Sequence, residues 1–148
     1  MLVSQTAEYA LRAMVFLAGL PAGAAATSRQ VSKATAIPPT YAAKVLRRMV
    51  AHGLLIGQKG HGGGFQLARP AARIRFQDIL EAVDENVVTD RCAFGLGRCN
   101  TRRPCPLHES ASSLRESVLA WARSTTLADV QRRTPARRQA TAQILRPA

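Results

Sequence analysis

The chain has 148 residues, enough for one domain with a core of its own and little room for a second. Hydrophobic residues make up 47% and charged residues 20%, which excludes both a membrane-spanning protein and a chain disordered throughout. A net charge of +12, from 21 Lys and Arg against 9 Asp and Glu, calls for a polyanionic partner, and nucleic acid is favoured.

Residues Met1 to Glu8 lack the basic start and unbroken apolar run of a secretory signal, so a cytoplasmic protein is expected. Ala7, Ala10, Leu11, Met14, Leu17 and Ala18 recur at helical spacing until Gly19-Leu20-Pro21-Ala22-Gly23 breaks the pattern; this is the first helix. Thr27-Ser28-Arg29-Gln30 has the form of a capping box opening a helix of about two turns. Val31 and Ala34 share one face of it, and the chain turns at Ala36-Ile37-Pro38-Pro39. Beyond the prolines Ala42, Val45, Leu46, Met49 and Val50 form an apolar stripe with Gly53 as its stop, while Thr40, Tyr41, Lys44, Arg47 and Arg48 lie largely off it. Two short helices joined by a tight turn, the second with a basic outer face, form the helix-turn-helix pattern whose second helix enters the major groove. A merely solvated face would carry the same residues.

Leu54-Leu55-Ile56 and Phe65-Gln66-Leu67-Ala68 read as two strands around a basic, glycine-rich tip over 57–64. Glycines there let backbone approach a phosphate backbone, and Lys59 and His61 sit where a wing touches DNA. Neither a Gly-Lys-Ser/Thr phosphate loop nor GxGxxG is present. The DNA-binding set expected is Ser28, Thr40, Tyr41, Lys44, Arg47, Arg48, Lys59 and His61, on double-stranded DNA.

Phe76, Ile79, Leu80 and Val83 define a further helix that ends at Asp84-Glu85-Asn86. An aperiodic loop over 88–106 follows, then Leu107, Ala111, Leu114, Val118 and Trp121 at heptad spacing. That seam wants a partner helix, and a homodimer is favoured over packing on its own domain. Thr125 to Val130 start a last short helix, and 131–148, rich in Arg and without acids, reads as a disordered basic tail. No helix pairs a Lys/Arg face with a Trp/Phe/Leu face, so no membrane association is expected. The fold expected is mainly α with a small β-hairpin wing, a winged helix-turn-helix plus a long dimerisation helix. Its parts are 1–84 for the reading head, 85–106 for the cysteine loop, 107–130 for the dimerisation and terminal helices, and 131–148 for the tail.

Cys92, Cys99 and Cys105 are spaced C-x6-C-x5-C, with His108 two residues beyond. An odd cysteine count argues against a disulfide framework, and three thiolates on one loop suit a soft or borderline metal. An iron–sulfur cluster and a tetrahedral Cys3His zinc both satisfy the set. Cys105-Pro106 and the charge-offsetting Arg91, Arg98, Arg102 and Arg103 lean toward a cluster. Thiol sensing through disulfide formation, without metal, would use the same residues. No Cys-His-Asp set or oxyanion-hole signature accompanies the thiols, so an enzyme is not expected.

Taken together, Glu8-Tyr9-Ala10, Ile37-Pro38-Pro39-Thr40-Tyr41, Lys59-Gly60-His61-Gly62-Gly63-Gly64-Phe65, Ala82-Val83-Asp84-Glu85 and the three cysteines resemble the IscR/NsrR family of iron–sulfur transcription regulators over about residues 1 to 130. The resemblance implies a homodimer with crossed long helices, a cluster near the dimer interface, [2Fe-2S] ahead of [4Fe-4S], and repression as the usual outcome. It implies Cys92, Cys99 and Cys105 as ligands. The fourth is a histidine placed like His108 in one branch, and in another an acidic residue of the partner subunit placed like Glu8. This chain carries both, and Glu8 could instead pair with Arg12 one helical turn on.

Overall fold

The computed structural model describes residues 3–83, 91–92 and 97–133. Helix α1 spans Gln5–Ala18 and starts where the Ser4 hydroxyl accepts the Ala7 amide at 3.2 Å. Its buried face is Ala7, Ala10, Ala13, Met14 and Leu17; small residues on that face let neighbouring helices come close. Helix α2, Ser28–Thr35, begins with the expected box: the Thr27 amide donates to Gln30 Oε1 at 2.8 Å and the Gln30 amide to Thr27 Oγ1 at 3.2 Å.

On α2 the buried face is Val31, Ser32 and Thr35, and Ala34 is only half-buried. The two hydroxyls can go inside because each finds a carbonyl: Ser32 Oγ donates to Ile37 O at 2.6 Å, Thr35 Oγ1 to Val31 O at 2.7 Å. Ala36 takes the left-handed conformation at φ 55, and buried Ile37 closes the turn. Helix α3 then runs Pro39–Ala51, its proline at the first position where no amide is needed. Ala42, Val45, Leu46 and Met49 are buried as expected; Val50 is exposed, because one further residue rotates it about 100° away from Met49.

Strands β1 (Leu55–Gln58) and β2 (Gly64–Leu67) pair antiparallel, from Leu55 opposite Leu67 to Gln58 opposite Gly64. The hairpin therefore extends further toward its tip than the sequence pattern indicates. Phe65 also exchanges both backbone bonds with Ala26, at 2.8 and 3.0 Å, which stitches the wing to the residue just before the α2 cap. A 3-10 turn over Ala71–Arg73 leads into α4, Phe76–Val83.

Helix α5 covers His108–Ser124 and α6 covers Leu127–Arg133. Met14, Ile37, Leu46, Met49, Leu54, Ile74, Ile79 and Leu127 are fully buried at the centre, with α1 packed against α2, α3, α4 and α6. Each such side chain contributes about 1.5–3 kcal/mol. The boundary expected at residue 131 is corrected: α6 continues to Arg133. The Thr126 hydroxyl and Asp129 carboxylate cap its start, Leu127 anchors it in the core, and Gln131 Nε2 donates to Val15 O of α1 at 3.0 Å. The expected end of α4 at 84–86, residues 93–96 of the cysteine loop and the tail from 134 lie outside the described residues.

Candidate functional site

One side of the head gathers most of the residues expected to read DNA. At 100° per residue, Thr40, Lys44 and Arg47 fall within an arc of about 60° on α3, opposite the buried stripe, and all three are exposed. Tyr41 and Arg48, seven residues apart, share the flank beside that arc. The flank is tied down. Tyr41 meets Tyr9 of α1 edge-on with ring centroids 5.8 Å apart, and the Arg48 guanidinium donates to the Val83 carbonyl at the end of α4.

Lys59 and His61 are exposed at the wing tip, and Ser28 is half-buried in the first turn of α2. Arg29, exposed beside Ser28, joins this surface and was not singled out from the sequence; its position just inside a capped helix start was the available signal.

The second site lies at the start of α5. The His108 amide donates to Cys105 O at 2.9 Å, and Cys99 Sγ lies 3.1 Å from His108 Nδ1. Cys92 is held by its amide donating to Gly97 O at 2.8 Å, with Arg91 bridged to Arg98. Cys92, Cys99, Cys105 and His108 line a cavity of about 190 Å3 together with Arg98, Asn100 and Arg103. Asn100 was missed by the sequence reading; its Oδ1 accepts the Arg102 amide at 2.8 Å, a local turn that shapes the rim.

Partial burial pushes the Cys105 thiol above the ordinary cysteine value; the Leu107 backbone opposes this, while the hydrogen bond with Cys92 and the charges of Cys92 and Cys99 add to it. Among the described residues, no three His, Cys, Asp or Glu side chains are gathered as for a single metal ion.

Glu8 lies elsewhere within the protomer. Its Oε1 is 2.5 Å from Arg12 Nη2, the pairing on its own helix that the spacing allows. Arg12 Nη1 donates in turn to Thr35 O at 3.1 Å, the carbonyl that ends α2, and the guanidinium stands 5.6 Å from the Tyr9 ring centre. The structure thus brings Cys92, Cys99, Cys105 and His108 together and leaves Glu8 with Arg12.

Leu107, at the cap of α5, and Leu114 and Trp121 on the helix are 45%, 57% and 43% exposed, so most of the heptad seam is left uncovered by the described residues. Its last residue is half engaged: Trp121 packs edge-to-face on Phe76 at 5.1 Å.

A model of the Rrf2 family, described as an iron-dependent transcriptional regulator, matches residues 3–133. The chain belongs to the Rrf2 family.

This Rrf2 chain is 34% identical over 131 residues to a Mycobacterium tuberculosis protein named as an HTH-type transcriptional regulator, covering 88% of this chain and 81% of that one. To an HTH-type transcriptional regulator of Aquifex aeolicus it is 28% identical over 132 residues, covering 88% and 91%. Among solved structures, T. potens IscR matches with a TM-score of 0.72 at 19% identity, covering 93% of this chain and 91% of that one. CymR, the global cysteine regulator of B. subtilis, matches with a TM-score of 0.69 at 18% identity, covering 88% and 95%. At such identities the structural likeness concerns the winged-helix fold. Membership of the Rrf2 family makes the chain a DNA-binding transcriptional regulator. No helix among the described residues is long and apolar enough to cross a membrane.

Proposed function

We propose that this Rrf2 regulator is a homodimeric repressor that senses redox state, nitric oxide or iron–sulfur status through a cluster ligated by Cys92, Cys99, Cys105 and His108. The observation that carries the reading is the cavity in which the three thiols and the His108 imidazole come together between Arg98 and Arg103. A cluster spreads its ligands over more than one iron, so it asks less convergence of the chain than a single zinc, for which no three donors are gathered among the described residues. Two guanidiniums in the wall offset the charge that deprotonated cysteines bring. His108 is preferred to the partner subunit's Glu8 because it already lines the cavity, whereas Glu8 is held by Arg12.

When bound, the cluster supplies a centre that reacts with oxidants and nitric oxide. The chain's own part is mechanical. Cys92 and Cys99 fix the loop that follows α4, Cys105 and His108 fix the first turn of α5, and the exposed Leu107, Leu114 and Trp121 seam pairs with a second copy. A change in the loop then alters how the two heads are spaced on DNA, and affinity changes only by the difference between the two states. Thr40, Lys44 and Arg47 supply base and phosphate contacts in the major groove, and Lys59 and His61 reach the flanking backbone.

Anaerobic purification with a visible spectrum and iron, sulfide and zinc analysis tests the reading, followed by DNA titration before and after nitric oxide. Iron and sulfide with a changed affinity are expected; a colourless zinc protein with unchanged affinity overturns it. With about four phosphates neutralised per protomer, log affinity should fall against log salt with a slope near −7, that is about 0.9 for each of eight phosphates.

A second reading rests on Cys92 and Cys105 lining the same cavity. In a cluster-free chain, hydrogen peroxide would oxidise that pair to a disulfide and leave two water molecules. Protein without iron or sulfide that loses two thiols on peroxide treatment would favour it.

A further inference from the structure

The sequence pattern counts Arg48 with Lys44 and Arg47 as a DNA contact. We propose instead that Arg48 is a positioning residue. It ties the reading helix to the root of the cysteine segment, so that the state of the cysteine site reaches α3 through the Val83 carbonyl.

Three observations meet here. Arg48 is about 100° round the helix from Arg47, on the flank where Tyr41 is already packed on Tyr9, and its guanidinium donates to Val83 O. Val83 is the last residue of α4, where carbonyls lack partners within the helix and a cation is favoured, so Arg48 caps α4 while holding α3. The Val83 side chain is 2% exposed and fixed in the core, and the chain continues from it to Cys92, nine positions on. On the sensing reading, a rearrangement at Cys92 that shifts the Val83 carbonyl would be passed by Arg48 to the helix carrying Thr40, Lys44 and Arg47. The first half of the proposal stands on the contact alone; the second rests on the sensing reading above.

The test uses the full-length dimer and a duplex selected in vitro with the unaltered protein. Affinity is measured against salt for Arg47→Gln, Arg48→Gln and Arg48→Lys, with iron and after its removal, and folding is checked by circular dichroism. Arg47→Gln, losing one phosphate contact in each protomer, should lower the magnitude of the log–log slope by about 1.8. Arg48→Gln should leave the slope unchanged and weaken binding by about threefold or more. It should also shrink the affinity ratio between the two states, and Arg48→Lys, which keeps a cationic donor, should recover much of both losses.

A slope that drops for Arg48→Gln as it does for Arg47→Gln makes Arg48 a phosphate contact and overturns the proposal. An affinity equal to that of the unaltered chain overturns it too. If the unaltered chain binds equally with and without iron, the sensing reading falls with the second half, and the slopes still decide the first.

Discussion

Gly64 offers the sharpest test of how the wing is built. Its φ is +137, and a Cβ there would lie 2.5 Å from Ala26 C, 2.6 Å from Ala26 O and 2.9 Å from Thr27 N. All three are backbone atoms, so no side chain can swing aside. Gly64→Ala must either hold a backbone conformation that costs about 1–3 kcal/mol or push β2 away from Ala26. Moving the strand loses the paired bonds between Ala26 and Phe65, each contributing about 0.5–1.5 kcal/mol. Either route costs up to about 3 kcal/mol, equivalent to a fall in Tm of up to about 10 °C for a chain of this size. Gly62→Ala is the matched control: its φ is +71 but nothing lies within 4 Å, so about 1 kcal/mol and a few degrees are expected. Thermal unfolding followed at 222 nm gives both values. DNA titration well below either Tm adds a second readout, since a wing released from Ala26 should weaken binding more in Gly64→Ala than in the control. Equal Tm values for the two variants would refute the reasoning.

The cysteine cavity predicts that Cys99→Ser and His108→Ala lower iron and sulfide content on anaerobic purification, whereas Glu8→Gln retains it; the reverse pattern for His108 and Glu8 would move the fourth ligand to the partner subunit. Leu114, 57% exposed, can be replaced without disturbing the protomer core, so Leu114→Glu should keep the helical circular dichroism spectrum yet shift light scattering from dimer toward monomer. Asp129 is held at about 2 by the Thr126 amide first, then the Thr126 hydroxyl and Arg132. Because the folded value is depressed, its stabilising effect is complete above the ordinary 3.8 and is lost as pH falls through about 2. Asp129→Asn should therefore flatten the acid limb of a stability–pH curve over that window.

Much of the reading head was legible because local signals and burial agree. Ala7, Ala10, Met14 and Leu17 mark α1, Thr27 and Gln30 mark the start of α2, and the glycines of 57–64 mark the wing. What the sequence could not show is which polar residues the fold uses up. Periodicity separates a buried stripe from an outer face, but it does not distinguish the arc of Thr40, Lys44 and Arg47 from the flank where Tyr41 and Arg48 find partners 32 and 35 positions away. Val50 was misplaced for a related reason: it lies about 40° beyond Leu46, which forms the edge of the buried stripe. The short α6 was underestimated at its end because Arg132 and Arg133 read as tail, while what extends the helix is Gln131 reaching a backbone carbonyl on α1. At the cysteine site the donor set was visible in the spacing, but the 3.1 Å approach of Cys99 to His108 depends on the turn that brings the His108 amide to Cys105 O.

The two ends of α5 are anchored differently. Beside its C-terminal end, Phe76 N bonds Thr125 O at 2.9 Å, Leu127 N bonds Ile74 O at 3.0 Å, and Trp121 rests on Phe76. At the other end His108 meets the cysteine segment, a helix of 17 residues or about 25 Å away. Anchored this way, the helix has its natural fulcrum at Thr125, and a pivot there would turn it as a rod. Each 1 Å that the cysteine segment yields swings the rod by about 2°, and in a dimer seamed along α5 that swing would reorient one head relative to the other.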